Sequence, residues 1–263
     1  VTPDKKIDSV CPYCGVGCLL TYNIKDDKIL YAEGRDGPAN MSRLCVKGRY
    51  GFNYVNSDQR LTVPLARKKG VSKDINPEDF DLNKIENYFE PISWDEAIKR
   101  TTEKFKSLVM SDSRSTAGFG CAKGSNEEAY LFQKLVRTGF RNNNVDHCTR
   151  LCHASSVVAL LEMIGSGAVS NQGADVAEAE TIIVIGANPT VNHPVAATFI
   201  KNAAKAGKNL IVLDPRKNDL ARHATHYLQF KPDTDVALLN AIMKSIVDQN
   251  LIDKKFINER TTD

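Results

Sequence analysis

The chain has 263 residues, enough for one large domain or two modest domains with a sizeable core. Hydrophobic residues make up 42% of the chain and charged residues 25%, and the net charge is only +3, so neither a nucleic-acid partner nor binding to a charged membrane surface is predicted. No run approaches the roughly 20 apolar residues that span a bilayer, and we therefore predict no membrane insertion.

The cysteines are unevenly distributed. Four of the seven lie within the first 45 residues and three lie between residues 121 and 152. An odd number of cysteines in a chain too large to need disulfide bonds indicates metal-bound or reactive thiols in a reducing environment. We therefore predict a cytoplasmic protein with at least one metal centre.

The first four cysteines have the spacing of a metal centre. Cys11, Cys14 and Cys18 form a tight group, and Cys45 follows after 26 residues. Three sulfurs from one loop and a fourth from another suit either a [4Fe–4S] cluster or a tetrahedral zinc ion. Zinc sites usually combine two Cys-x2-Cys pairs, whereas the second half here is a single cysteine. The spacing therefore favours the cluster over zinc and over free thiols.

Regular structure is predicted first in the N-terminal half. Residues 19–33 alternate in hydrophobicity around a polar turn and predict a β-hairpin. Residues 67–92 lack periodicity and predict a surface excursion. Helices are predicted to begin after Ser93 and Ser125, because each serine is followed three residues later by a glutamate, the capping-box pattern.

The rest of the chain includes further strands and helices. Residues 116–124, TAGFGCAKG, predict a short strand that runs into a glycine-containing loop. From residue 181 onward, buried strands are predicted in TIIVI, NLIVL and THYLQF, and helices in VAATFIKNAAKAG and DVALLNAIMKSIVDQN. Apolar strands that alternate with helices predict a doubly wound, mostly parallel α/β sheet.

Residues 147–153, HCTRLCH, place two histidines and two cysteines close together. A zinc site made from all four is disfavoured, because adjacent residues on a helix point about 100° apart. Cys148 and Cys121 are predicted to be small buried apolar residues, although CAKGSNEE, which begins at Cys121, resembles a pterin-contacting loop of a known family of enzymes. For Cys152 two interpretations stay open from the residues alone: a small buried apolar residue on the same helix face as Cys148, or a single thiolate ligand stabilised by the positive end of a helix.

CPYCGVGC, followed by LCVKGRYG, resembles the N-terminal segment of the molybdenum or tungsten bis-pterin oxidoreductases, the dimethyl-sulfoxide-reductase family. The resemblance implies a small β-rich iron–sulfur domain at residues 1–60, followed by a doubly wound, mostly parallel α/β domain at 61–263 that binds molybdopterin guanine dinucleotide. It also implies that Lys47 lies between the cluster and a pterin. A cation there would favour electron movement across a low-dielectric gap, whereas the alternative is a solvated surface lysine.

RLCHASS resembles the formate dehydrogenases of this family, in which cysteine or selenocysteine is followed by histidine. The resemblance implies that Cys152 binds molybdenum or tungsten and that His153 handles a proton at the substrate. The implied reaction is oxidation of formate to CO2, or its reverse, with electrons passing by Lys47 to the [4Fe–4S] cluster. The chain thus resembles the N-terminal portion of a formate dehydrogenase catalytic (alpha) subunit.

Three loops resemble the family's sites for two molybdopterin guanine dinucleotides. IGANPTVNHP follows a strand and opens a helix, where backbone amides can approach a pyrophosphate. LDPRK ends the next strand, where an acidic residue can accept from a ribose or guanine edge. Asp235 matches a guanine-recognition position, although an aspartate there can also be a helix N-cap. The residues implied to bind the cofactor are Gly186, Asn188, Asn192, Asp214, Arg216 and Asp235.

Members of the family are much longer and have a catalytic arginine and a C-terminal pterin-binding domain. The resemblance therefore implies that the rest of the catalytic unit is either absent from this sequence or carried by a separate chain. Without it, the isolated chain would lack part of its cofactor cradle and its activity. Iron–sulfur or flavin subunits are the implied electron-transfer partners.

Three alternatives differ in testable ways. An electron-transfer or scaffold module resembling the iron–sulfur subunit of respiratory complex I would have no need of the Cys152–His153 pair. Nitrate reductases of the family have methionine where His153 stands. Formylmethanofuran dehydrogenase shares the cluster and the cysteine ligand, but SNEEAYLFQKLVR and CTRLCHASS look closer to the formate dehydrogenases.

Overall fold

The structure is a computed structural model that describes residues 2–169 and 171–262, apart from the side chains of Pro77 and Leu82. Its contacts divide the chain into two compact units. The first unit combines the N-terminal 50 residues with the segment from Asn171 onward, and the second unit begins at Gly51 and includes the described residues up to 169. The boundary predicted between residues 60 and 61 concerns cofactor-binding domains and stays a prediction.

The elements follow in chain order along the described residues. The strands are β1 (Lys5–Val10), β2 (Leu19–Lys25), β3 (Lys28–Gly34), β4 (Leu65–Arg67), β5 (Phe89–Pro91), β6 (Gly118–Gly120), β7 (Val145–His147), β8 (Thr181–Ile185), β9 (Asn209–Leu213) and β10 (His226–Leu228). The α-helices are α1 (Val46–Tyr50), α2 (Trp94–Ser111), α3 (Asn126–Lys134), α4 (Thr149–Cys152), α5 (Ala154–Ile164), α6 (Pro189–Asn192), α7 (Pro194–Lys205), α8 (Asp235–Asp248) and α9 (Lys254–Arg260). Short 3-10 turns lie at Pro77–Asp79, Leu82–Asn87, Ser113–Ser115, Gly173–Ala177 and Asp219–His223, and a π-helical turn at Leu135–Gly139 extends α3.

An antiparallel sheet of β1, β2 and β3 opens the first unit. The predicted hairpin is confirmed as β2–β3. Asp26 and Asp27 form its two-residue turn with φ angles of 48° and 55°, the conformation that matches the twist of the flanking strands. The sequence did not predict β1, because this edge strand is mostly exposed and lacks an apolar alternation.

A parallel sheet in the order β10–β9–β8 forms the rest of the first unit together with its helices. The predicted strands and helices are present, and the α/β class is confirmed. Burial differs from the prediction in β8, where Ile182 and Val184 are buried but Ile183 is 60% exposed. The reason is that side chains alternate between the two faces of β8, and only the face of Ile182 and Val184 is buried within the described residues.

Helix α7 joins the two sheets of the first unit. Ala203 belongs to the core formed by the inner residues of β8 and β9. Val195 and Phe199 belong to a second core that contains Cys11, Cys18 and Leu20. One helix therefore supports both the cysteine loop and the parallel sheet, and it fixes how these two parts of the unit meet.

The second unit contains two small sheets and three longer helices. The predicted excursion is closed by an antiparallel pair, β4–β5, and the predicted strand β6 pairs in parallel with β7. Ser125 and Glu128 form the complete capping box of α3. Ser93 caps α2, but the side chain of Glu96 accepts a hydrogen bond from Arg100 at 2.6 Å.

In the described part of the chain, no helix is both long and apolar enough to cross a bilayer.

Candidate metal centre and cofactor site

Four cysteines line one cavity of about 240 Å³ in the first unit. Cys11, Cys14 and Cys18 come from the loop between β1 and β2, and Cys45 immediately precedes α1. The backbone N–H of Cys11 donates to the carbonyl of Cys18 at 2.9 Å, which closes the loop that carries three of the thiols. The structure thus brings together all four cysteines predicted to hold the cluster.

Burial and mutual proximity determine the ionisation of these thiols. Burial raises the pKa of the Cys18 thiol to about 11, and the three other cysteines add smaller increases. Burial also raises the pKa of Cys11, against a hydrogen bond from the Tyr13 backbone that lowers it. Four thiolates here would repel one another, so a cationic iron centre is the compensating group that would stabilise them. The donor set fits a [4Fe–4S] cluster.

The spacing of the cysteines also bears on the kind of metal. Within residues 2–169 and 171–262, no three or more His, Cys, Asp or Glu side chains are arranged to hold a single ion. Zinc would draw four sulfurs to about 2.3 Å from one centre. The cysteines of a cubane each bind a separate iron atom, and four thiols that line one shared cavity suit such a cluster.

Lys47 and Asn192 line the same cavity as the cysteines. Lys47 is the second residue of α1, and its side chain is exposed. Its exposure agrees with the surface-lysine alternative, whereas its place in the cavity wall agrees with a role beside the cluster. Asn192 ends α6, so the loop predicted to bind nucleotide reaches the cysteine cavity.

The loop after β8 has a conformation that requires its glycine. Gly186 has φ of +58°, and its N–H donates to the carbonyl of Leu213 at 2.9 Å. Asn188 precedes α6, and its side-chain oxygen accepts from the hydroxyl of Thr190 at 2.6 Å. The carbonyl of Asn188 also accepts from the N–H of Asn192 at 3.0 Å. The three predicted residues therefore lie on one continuous turn.

Asp214 organises the loop after β9 and is only 8% exposed. Its Oδ1 accepts from the N–H of Arg216 at 2.7 Å, and its Oδ2 accepts from the amide of Asn218 at 3.3 Å. Asn218 also donates to the carbonyl of Ala187 at 3.3 Å, which joins the loops after β8 and β9. Sequence reasoning missed Asn218. The sequence signal that could have identified it is its residue type, because asparagine is favoured as an N-cap and Asn218 precedes a short helical turn.

Asp235 is the first residue of α8 and is half-buried. The N-cap position belongs to Thr234, whose side chain makes no capping hydrogen bond. The alternative that Asp235 is the N-cap is therefore wrong. An acidic residue in the first turn still interacts favourably with the helix dipole.

Cys152 and His153 lie at a break between two helices of the second unit. Cys152 ends α4, and His153 has φ of −148° and ψ of 35°, a conformation outside the helical region. Helix α5 begins at Ala154, so Cys152 lies just before the helix start and not inside its first turn. Both side chains are exposed.

His147 holds the start of the short helix that carries Cys152. Its Nδ1 accepts from the backbone N–H of Thr149 at 3.1 Å and lies 2.5 Å from the hydroxyl of the same residue. The N–H of Cys152 donates to the carbonyl of Cys148 at 3.1 Å. His147 and Cys148 thus support the segment through capping and backbone contacts.

Cys121 and Cys148 are exposed, which corrects the prediction that both are buried. They follow the carboxyl ends of β6 and β7, beyond the last paired residues of that two-stranded sheet. The backbone N–H of Ala122 donates to the sulfur of Cys148 at 3.3 Å. A cavity of about 660 Å³ opens beside these strand ends, and it is lined by the 119–124 loop, α3 and β7.

Comparison with protein families assigns both parts of the sequence. Residues 4–57 match the molybdopterin oxidoreductase Fe4S4 domain, and residues 60–258 match molybdopterin oxidoreductase. These matches confirm the cofactor classes expected from the sequence, a [4Fe–4S] cluster and a pterin-bound molybdenum or tungsten.

Individual relatives point the same way. The F420-dependent formate dehydrogenase 1 subunit alpha of Methanococcus maripaludis is 37% identical over 97% of this chain and 35% of its own length. The corresponding subunit alpha of Methanocaldococcus jannaschii is 36% identical over 98% of this chain and 35% of its own length. The present chain thus spans about a third of the length of these relatives.

A solved structure supports the fold. Acetylene hydratase from Pelobacter acetylenicus aligns with a TM-score of 0.78 over 97% of this chain and 33% of that protein, at 21% identity. At that identity the likeness concerns the fold alone.

Proposed function

The chain belongs to the molybdopterin oxidoreductase family, and we propose that it forms part of the catalytic unit of a formate dehydrogenase. The proposed reaction converts formate to CO2, one proton and two electrons, or runs in reverse. The observation that carries the proposal is the exposed Cys152–His153 pair at the break between α4 and α5. The names of the relatives, formate dehydrogenase subunit alpha, support the same substrate.

Cys152 would be the protein ligand of the molybdenum or tungsten. When bound, the metal–pterin centre supplies a two-electron acceptor, and the cluster supplies a one-electron relay. Cys152 is suited to binding because its sulfur is exposed and because its backbone N–H donates to the carbonyl of Cys148, on a helix whose first residue, Thr149, donates its N–H to His147. The chain's contribution at this point is to hold the thiolate in a fixed place.

His153 would receive the proton that formate releases. An imidazole changes its charge near neutral pH and can pass a proton to solvent. Its side chain is exposed and adjacent in sequence to the proposed ligand. His153 has φ of −148° and ends α4, and its N–H donates to the carbonyl of Thr149 at 3.0 Å, so its backbone is held at the helix end.

The loops of the first unit would bind the guanine dinucleotides. The turn at Gly186, Asn188 and Asn192 offers the amide side chains of its two asparagines, and Arg216 is exposed next to the buried Asp214. An exposed guanidinium suits a phosphate, and a held carboxylate suits guanine or ribose donors. Asp235 is proposed as a further guanine contact.

Lys47 is proposed as the cation beside the route by which electrons reach the cluster. The electrons would then pass to iron–sulfur or flavin subunits, a partnership supported by relatives that are named as one subunit of an assembly. The remaining part of the catalytic unit would come from further chain or from another polypeptide.

A pair of substitutions tests the proposal. In the complete, cofactor-loaded protein, Cys152→Ala should abolish formate-dependent reduction of a redox dye and leave the visible absorption of the cluster unchanged. Leu151→Ala is the matched control, because Leu151 is 94% exposed and neighbours the same position. Wild-type activity in Cys152→Ala would refute the ligand role, and a wild-type protein that reduces nitrate but does not oxidise formate would refute the substrate.

A further inference from the structure

Two cysteines outside the proposed metal ligands each directly follow the last paired residue of the parallel pair β6–β7. The last paired residues are Gly120 and His147, and the following residues are Cys121 and Cys148. Neighbouring strands lie about 4.8 Å apart, and disulfide-bonded cysteines usually have Cα atoms about 4.4–6.8 Å apart. The register therefore brings two thiol-bearing residues to a separation that a disulfide can bridge.

A hydrogen bond places one sulfur close to the other residue. The N–H of Ala122 donates to Cys148 Sγ at 3.3 Å. The amide nitrogen of Ala122 is about 2.4 Å from the Cα of Cys121 by standard backbone geometry, so Cys148 Sγ lies within about 6 Å of that Cα. Rotation about the Cα–Cβ bond of Cys121 is then sufficient to bring the sulfurs toward each other.

Both thiols are accessible in the second unit. The loop that begins at Cys121 can also adjust its backbone. Cys121 and Cys148 are exposed. Cys121 begins the short loop that ends at the Ser125 cap, and this loop contains Gly124. A short loop with a glycine can adjust its backbone more easily than a strand interior.

We propose that Cys121 and Cys148 are a reversible dithiol–disulfide pair. The oxidant is a low-molecular-weight disulfide of the glutathione class. One cysteine thiolate attacks the external disulfide and releases one small thiol, and the second cysteine then attacks the mixed disulfide and releases the other. Two protons and two electrons pass from the cysteine pair to the external disulfide, which becomes two thiols.

The bond would act on the segment that carries Cys152. Oxidation would tie the 121–124 loop covalently to the residue whose carbonyl accepts from the N–H of Cys152. The loop and the start of α4 would then be held by a covalent bond where the reduced protein has the contact between Ala122 and Cys148. The pair is a modification site whatever substrate the protein uses, so its test does not depend on catalytic activity.

Trypsin separates the three relevant cysteines, which allows the bond to be mapped. Cleavage after Arg114, Lys123, Arg141 and Arg150 gives peptides 115–123, 142–150 and 151–201, each with one of the three. The complete, cofactor-loaded protein is equilibrated anaerobically with mixtures of oxidised and reduced glutathione, quenched with acid, alkylated and digested. Mass spectrometry should find 115–123 linked to 142–150 in oxidising mixtures, and dithiothreitol should remove the link.

The variants distinguish this pairing from others. Cys121→Ser and Cys148→Ser should each abolish the linked peptide, with the cluster absorption of each variant as a check that it has folded. If a variant does not fold, the presence or absence of the linked peptide in the wild-type protein still decides the test. Glutathione adducts on separate peptides, a link between 142–150 and 151–201, or unmodified thiols across the whole range would each overturn the proposal.

Discussion

The backbone of Gly48 lies against the sulfur of Cys11. A Cβ built onto Gly48 would stand 3.5 Å from Cys11 Sγ and 3.2 Å from Cδ2 of Leu44. Gly48 is buried within α1, three residues after Cys45. The sequence pattern LCVKG thus keeps the space beside a cluster cysteine free of side-chain atoms.

Gly48→Ala should therefore lower the occupancy of the cluster. The added methyl group would crowd Cδ2 of Leu44, the residue before Cys45, and would be in van der Waals contact with the Cys11 sulfur. Its effect on helix propensity alone would be stabilising by up to about 1 kcal/mol. Iron content per chain and the visible spectrum measure the outcome. Gly15→Ala is the matched control, since nothing lies within 4 Å of a Cβ at that position. Equal iron content in the two variants would contradict the steric account.

The cluster-free chain should lose stability in alkaline solution. The pKa of the Cys18 thiol is raised by burial from 9.0 to about 11. The unfolded chain therefore releases this proton at lower pH than the folded chain, so the stabilising contribution is complete below pH 9 and is lost as the pH rises toward 11. Urea unfolding at several pH values measures the loss, and Cys18→Ala should flatten the dependence. An unchanged dependence in the variant would assign it to other groups.

Replacement of Lys47 tests whether its charge matters for electron transfer. Lys47→Met should slow reduction of the cluster by formate about tenfold, equivalent to about 1.4 kcal/mol in the barrier. Lys47→Arg keeps the cation and should retain most of the rate. Because the side chain is exposed, both variants should stay within about 0.5 kcal/mol of the wild-type stability. Stopped-flow absorbance measures the rate, and equal rates in all three proteins would support the surface-lysine alternative.

Loss of the capping box of α3 should lower the stability of the second unit. Ser125 accepts from the N–H of Glu128 at 3.2 Å, and the Glu128 carboxylate accepts from the N–H of Ser125 at 2.6 Å. Ser125→Ala should lower the free energy of unfolding by about 1 kcal/mol. Ser107→Ala is the control, because this exposed serine lies within α2 and makes only a local bond to Lys104. A loss of similar size in both variants would argue against a specific cap.

Local patterns in the sequence were sufficient to predict much of the fold. The β2–β3 hairpin, the helices after Ser93 and Ser125, and the β8–α7–β9 succession all follow from periodicity and capping. The sequence could not predict β1, because an exposed edge strand depends on pairing with β2 more than on its own composition. Nor could it show that Ile183 on β8 is exposed, which depends on what covers each face of the sheet.

The candidate site, like the fold, was predicted only in part from the sequence. Spacing predicted the four cysteines, which do line one cavity, whereas the loop at Gly186 was expected from its place between a strand and a helix and from its resemblance to the family's G-x-N-P loop. Sequence reasoning missed Asn218 and assigned Cys148 to the core, because their partners Ala187 and Ala122 are more than 25 residues away along the chain. Contacts of this kind carry no local signal and appear only when the strands have paired.

Elemental and cofactor analysis of the native assembly tests the central claim most directly. Iron, molybdenum, tungsten and guanine dinucleotide would be measured per chain in the purified protein. The account predicts about four iron atoms, together with one molybdenum or tungsten atom and two dinucleotides. Four iron atoms with no molybdenum, tungsten or pterin would contradict a formate-oxidising enzyme and leave an electron-transfer module.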